Sequence, residues 1–262
     1  GWDTAPELVD RCRKLWVKMN PDWKVRLLTD KNLNDFIDIE DHIPGFGKKK
    51  IPIAAKSDII RILLLYTHGG VWTDATVCPT KPLNCWLKKH WSAEFFAFSD
   101  PYRENPEDLS VVNLSDRLIA SWFLAGRNDN YIIHQWAKET IKYWKKNDSP
   151  KHYFWFHYLF SDLYETDQRF RRVWDAAEKI SCDVNMRRGP HLFAPYTKDI
   201  LTDFGTEEAL ARDDSPMFKL SHHHQHQLMK SKAIQKLFKT SEAAPTPKRL
   251  ELSPGYYLYH YR

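Results

Sequence analysis

The chain has 262 residues, of which 42% are hydrophobic, 28% charged and 14% aromatic, with a formal net charge of +5 and a pI of about 8.9. These values suit one substantial core, or one core with a small appendage, and exclude a disordered, collagenous or disulfide-scaffold chain. The basic residues are spread along the sequence instead of forming a stripe, which argues against nucleic acid as a partner and suits an anionic small ligand such as a diphosphate, or weak attraction to an acidic membrane surface.

In chain order, Leu8, Cys12, Leu15, Trp16 and Met19 recur at helical spacing and predict a helix over 5–19, ended by Asn20-Pro21-Asp22. A short strand is predicted over 23–28, then a helix over 31–37 capped by Thr29-Asp30. The three lysines of 48–50 lie in a loop. A long helix is predicted over 53–68, stopped by Gly69-Gly70, and followed by a buried strand over 71–73. Strands are predicted over 95–98, 121–125 and 217–220, and helices over 129–146, 153–163 and 170–180.

Ser241 to Pro247 reads as a linker, and the tail from Tyr256 to Tyr261, with four tyrosines, is expected to pack back on the body. Alternation of helices with strands favours an α/β sandwich around a largely parallel sheet. Cys12, Cys78, Cys85 and Cys182 form no CxxC pair, so a reducing, cytoplasmic setting is expected. The longest apolar run, Ile59 to Tyr66, is broken by Arg61 and falls short of the ~20 residues that span a bilayer.

The helix over 53–68 is apolar nearly all round and so belongs inside, yet it carries Asp58 and Arg61 three residues apart on one face. Buried charges are costly unless paired or bound to something. The two are therefore either a structural ion pair or a fork that holds sugar hydroxyls. Asp74 follows the next short strand and sits at its carboxyl end, where open α/β sheets place their ligands. A carboxylate there can hold a hydroxyl, a ribose or a hydrated divalent metal.

The stretch from Ala54 to Leu83 joins a Ser-Asp-x-x-Arg helix (Ser57, Asp58, Arg61), Gly69-Gly70, a three-residue strand, an acidic motif and Lys81-Pro82-Leu83. In this combination the chain resembles the capsular-polysaccharide-synthesis glycosyltransferases. That group is related to the sugar transferases with an Asp-x-Asp motif, among them fungal α-mannosyltransferases and large glucosylating toxins. Further blocks that resemble the family are Ala5-Pro6-Glu7-Leu8, Ser121-Trp122-Phe123-Leu124-Ala125, Tyr153-Phe154 with His157, and Phe218-Lys219-Leu220-Ser221.

The resemblance implies a GT-A fold: a Rossmann-like nucleotide-sugar-binding sandwich with a mostly parallel central sheet and C-terminal helical additions. It would span residues 1–240, with 241–262 as linker and tail, and its first strand would precede Trp2. The implied partners are a nucleotide-sugar donor, most simply a UDP-sugar, and a glycan or glycolipid acceptor.

The implied roles run residue by residue. Asp58, Arg61, Asp74, Thr76 and Lys219 would bind the donor, with Lys219 facing the diphosphate. Asp74, Thr76 and His222 would bind a divalent Mn2+ or Mg2+. The motif here is Asp74-Ala75-Thr76 where the wider group has Asp-x-Asp. A neutral oxygen replaces the second carboxylate, which lowers metal affinity and leaves the metal requirement open. Trp122 and Tyr153 are candidate acceptor-binding aromatics. Retention of anomeric configuration is carried over from the relatives; if the reaction inverts instead, His157 or Asp162 could serve as general base. The histidines at 222–224 and 226 are equally a polar loop, and the helix over 153–163 is equally a half-buried amphipathic one. Two alternatives stand beside the enzyme: a non-catalytic module of the same fold that binds nucleotide sugar or glycan, and a zinc-binding interaction protein built on the histidines.

Overall fold

The computed structural model describes residues 2–99, 118–182, 215–220, 225–247 and 257–261. The sheet is five-stranded: β1 (Lys24–Leu28), β2 (Gly70–Asp74), β4 (Phe95–Ser99), β5 (Ile119–Gly126) and β7 (Tyr257–Tyr261), in the order β1-β7-β2-β5-β4. β1, β7 and β2 run parallel; β5 is antiparallel to β2, and β4 antiparallel to β5. Four of the five strands therefore share one direction, giving a mixed sheet that is mainly parallel. A separate two-stranded ribbon pairs β3 (Val77–Pro79) with β6 (Met217–Lys219).

The strands alternate their faces, as a pleat requires. Trp72, Phe95, Leu124 and Tyr259 join one core, packed under α3 (Ile53–His68), α5 (Tyr131–Lys146), α6 (Trp155–Thr166) and α7 (Gln168–Ala176). Val71, Phe96, Phe123 and Leu258 join the other, with Trp16 of α1 (Glu7–Met19) and Trp86 of α4 (Leu83–Trp86). A third cluster ties α1 to Cys78 of β3, Phe218 of β6 and the C-terminal helices α8 (Gln225–Lys230) and α9 (Lys232–Ala243). Among the described residues no helix is long and apolar enough to cross a membrane.

Three of the expectations differ: the helix expected over 170–180 stops at Ala176, where Ala177 turns to extended backbone, and two others change as follows. Where the sequence predicts a helix over 31–37, the chain makes only a 3-10 turn, Leu33–Asp35. The expected caps have other partners: Asp30 accepts from Lys56 Nζ at 2.7 Å, and Thr29 donates to Asn32 Oδ1 from its N–H at 2.8 Å and its hydroxyl at 3.3 Å. α9 runs on to Ala243 with Ser241 buried, so the predicted linker starts later than Ser241. Of the elements too short for periodicity to reveal, α2 (Ile39–His42), α4 and β3 add packing around the sheet.

α3 stops where its sequence says it should. The Gly69 N–H reaches Leu65 O at 2.8 Å, and Gly69 and Gly70 take φ of 66° and 102°. A Cβ on Gly70 would lie 2.4 Å from the Tyr257 carbonyl oxygen, so β7 can pair there only against glycine. Gly70→Ala should therefore lower stability by roughly 2–4 kcal/mol, from backbone strain and overpacking together. Gly45→Ala, also at positive φ (78°) but with no atom within 4 Å, should cost about 1 kcal/mol. Thermal melts of the two variants check this, and equal shifts would contradict it.

Candidate functional site

The site grows out of the turn between α3 and β2. Ile59, Ile60 and Ile62 to Leu65 bury the helix, and they carry Asp58 and Arg61 inside with them, at 8% and 4% exposure. Arg61 offers five N–H donors. Its Nη1 reaches Asp58 Oδ1 at 3.0 Å, Ser121 O at 2.8 Å and Ser121 Oγ at 2.6 Å. Its Nη2 reaches Ser57 Oγ at 3.0 Å and Asp74 Oδ1 at 3.2 Å. The Trp72 ring lies 5.1 Å from the guanidinium carbon, and Trp72 Nε1 donates to the same Asp74 Oδ1 at 3.0 Å.

The β2–β5 ladder ends at Thr73–Phe123, and Arg61 takes up the Ser121 carbonyl two residues further along β5. After Asp74 the chain turns and Thr76 leads into β3. β6 pairs there with Val77 opposite Lys219, and the Leu220 N–H reaches Thr76 O at 3.0 Å. This register sets Lys219 Nζ 2.6 Å from Thr76 Oγ1 and 3.4 Å from Asp74 Oδ2. The side chain of Asp74 keeps 24% exposure and that of Lys219 13%, so the cluster opens to solvent on the Asp74–Lys219 side.

Two carboxylates thus share one guanidinium, and their environments push them apart. Burial raises the Asp58 carboxyl to about 7, against a partial opposing pull from Arg61 and with a further push from the Asp74 charge. Burial acts on Asp74 in the same sense, but the charges of Arg61 and Lys219 and the Trp72 hydrogen bond outweigh it, and Asp74 stays below the usual carboxylate range. Proton uptake by Asp58 near neutrality therefore takes the cluster of Asp58, Asp74, Arg61 and Lys219 from no net charge towards one net positive charge.

The structure joins Asp58, Arg61, Asp74, Thr76 and Lys219. The remaining candidates fall elsewhere. Trp122 is buried, its ring stacked on Phe98 at 4.6 Å in the second core. Tyr153 is 69% exposed just before α6. His157 packs edge-on against Phe154 at 5.6 Å, and Asp162 faces solvent on α6, its carboxyl pushed up by partial burial. His222 lies outside the described residues. Ser57, Ser121 and Trp72 complete the network unannounced. Ser57 and Trp72 stand inside the recognised pattern, but the role of Ser121 depends on a contact across 60 positions. An open depression bordered by Trp91, Glu94, Asn130 and Arg172 sits at the amino end of β4, the opposite end of the sheet from Asp74. It holds no buried charge: Glu94 and Asp129 there pair with exposed Arg127.

For a divalent metal, the motif offers one carboxylate oxygen, Asp74 Oδ2, and one hydroxyl, Thr76 Oγ1, both already within reach of the Lys219 ammonium. No group of three or more His, Cys, Asp or Glu side chains suited to a metal occurs among the described residues.

Residues 1–239 match the family model of the capsular polysaccharide synthesis proteins. Among curated proteins, the chain is similar to an O-glycosyltransferase, braB, of Annulohypoxylon truncatum, 25% identical over 160 residues, or 55% of this chain and 35% of that protein. It is also similar to an initiation-specific alpha-1,6-mannosyltransferase of Candida albicans, 29% identical over 86 residues, or 31% of this chain and 22% of that protein. The matches thus span about a third or less of these relatives' own lengths. No solved structure gives a significant match.

The Asp58 shift carries a sign that can be measured. Between about pH 4 and 7 the folded protein keeps a proton on Asp58 that the unfolded chain has released. Stability therefore falls as pH rises through that window, by at most ~1.4 kcal/mol per pH unit. Asp58→Asn should remove this slope, so that wild-type stability minus variant stability declines from about pH 4 to about pH 7. Parallel stability curves for the two proteins would contradict it.

Proposed function

The chain belongs to the capsular polysaccharide synthesis protein family, and from that premise we propose that it is a glycosyltransferase of the GT-A type. It moves a sugar from a nucleoside-diphosphate donor, most simply a UDP-sugar, to a hydroxyl of a glycan or glycolipid. The two relatives, one named an O-glycosyltransferase and one a mannosyltransferase, support the reaction class. The observation that carries the reading is the cluster itself: two carboxylates and two cations from α3, β2 and β6, interlocked and open at the carboxyl end of a central strand.

In this reading each group has one task. Arg61 spends its terminal N–H groups inside the protein and holds Asp58 and Asp74 by their Oδ1 atoms. It is a positioning residue. Of the remaining oxygens, Asp74 Oδ2 accepts a hydroxyl of the donor sugar, and Asp58 Oδ2 donates to one when protonated and accepts from one when ionised. Lys219, fixed by the β3–β6 register, faces the diphosphate, where a preorganised cation stabilises the charge that grows as the leaving group departs. His157, Asp162 and Tyr153, on and before α6, are assigned to the acceptor side, with His157 or Asp162 taking the acceptor proton if the reaction inverts.

A panel of nucleotide sugars offered to the full chain should show release of nucleoside diphosphate with at least one donor. Asp74→Asn should cut that release by about 10²-fold or more; because it also takes the counter-charge from Arg61 and Lys219 and lowers the melting point, release is compared at a temperature where the variant is folded. Tight donor binding without turnover for any donor would instead mark a binding module of the same fold.

A further inference from the structure

We propose that the ammonium of Lys219 is the resident cation of this site and that the chain handles its nucleotide diphosphate without a divalent metal. The inference rests on the glycosyltransferase reading and deepens it. It starts from the departure in the motif: Thr76 stands where the wider group has a second carboxylate. A threonine hydroxyl brings an oxygen but no charge, so a metal there would lose half of its anionic support.

The geometry points to what replaces it. Lys219 Nζ lies at the point where the two motif side chains converge, 2.6 Å from Thr76 Oγ1 and 3.4 Å from Asp74 Oδ2. The hydroxyl accepts from the ammonium, and the carboxylate neutralises it. Asp74 has no second oxygen to lend, since Oδ1 already accepts from Arg61 Nη2 and Trp72 Nε1. At phosphate sites a hard divalent cation is held by one or two protein carboxylates, with phosphate and water filling its shell. The motif supplies one free carboxylate oxygen, Asp74 Oδ2, and it faces a cation already in place.

Lys219 is also held as a fixed charge should be. Its strand is stitched to β3, with Lys219 opposite Val77 and the Leu220 N–H on Thr76 O. Its side chain is largely buried, at 13% exposure, with Nζ held between Thr76 and Asp74. A divalent ion entering the same space would have to expel Lys219 from both partners, beside the charge of Arg61.

The test is the affinity of the full chain for UDP, measured by calorimetry and thermal shift in excess EDTA and in Mn2+. Wild type should bind UDP about equally in both. Lys219→Gln should weaken UDP binding by about tenfold or more in either condition, and Lys219→Arg should recover most of the loss, which a merely structural role would not predict. UDP binding by wild type that collapses about tenfold or more in EDTA would overturn the metal-free inference while leaving the glycosyltransferase reading intact. Failure to bind UDP or any other nucleoside diphosphate, with or without Mn2+, would overturn both.

Discussion

A guanidinium sealed inside a protein must find acceptors for its N–H groups, and the two terminal nitrogens of Arg61 find theirs on three segments of the chain, while its buried Nε meets no acceptor among the described residues. Ser57 and Asp58 belong to its own helix, Asp74 to the tip of β2, and Ser121 to β5. Removing Ser57 or Ser121 costs a buried hydrogen bond, and removing Asp74 takes away charge compensation, which is among the costlier defects a fold can carry. The arrangement therefore sets α3 against the sheet at one depth and one rotation. That setting is also what brings two carboxylates to a single opening. Here structural need and the proposed chemistry are met by the same hydrogen bonds.

The electrostatics follow from that sharing. One guanidinium cannot fully support two carboxylates, so burial wins at Asp58, while Lys219 and Trp72 tip Asp74 the other way. One acid near neutrality and one firmly ionised acid, flanked by two cations, thus meet at the carboxyl end of β2. Lys219 arrives from a different part of the chain on the small β3–β6 ribbon, which α1 and the C-terminal helices brace through the cluster around Cys78 and Phe218. The central sheet gains its own brace from β7, which lies between β1 and β2 and approaches the backbone of Gly70 closely.

Much of this was legible in the sequence, for local reasons. Asp58 and Arg61 stood out because charges on an oily helix demand an explanation, and Asp74 because it ends a short apolar strand before a turn. The glycine pair announced the end of α3. The illegible parts are those decided over distance. Lys219 meets Thr76 across 143 positions and Ser121 meets Arg61 across 60, and no periodicity encodes either contact. β3 is three residues long, too short for a pattern. Where a helix is expected over 31–37 only a 3-10 turn forms, with Asp30 paired to Lys56 on another element. The place of the aromatic tail, between two parallel strands, follows from the slot those strands leave and not from the tail's own composition.

The central claim is that Arg61 acts through Asp74 and not beside it. A double-mutant cycle on UDP-sugar affinity tests this most directly, using Arg61→Lys, Asp74→Asn and the combined variant, each with its melting curve. The account predicts that the double variant loses little more affinity than the worse single one, a coupling of about 1 kcal/mol or more. Losses that simply add, in proteins that remain folded, would show that the two residues serve the donor independently and would contradict it.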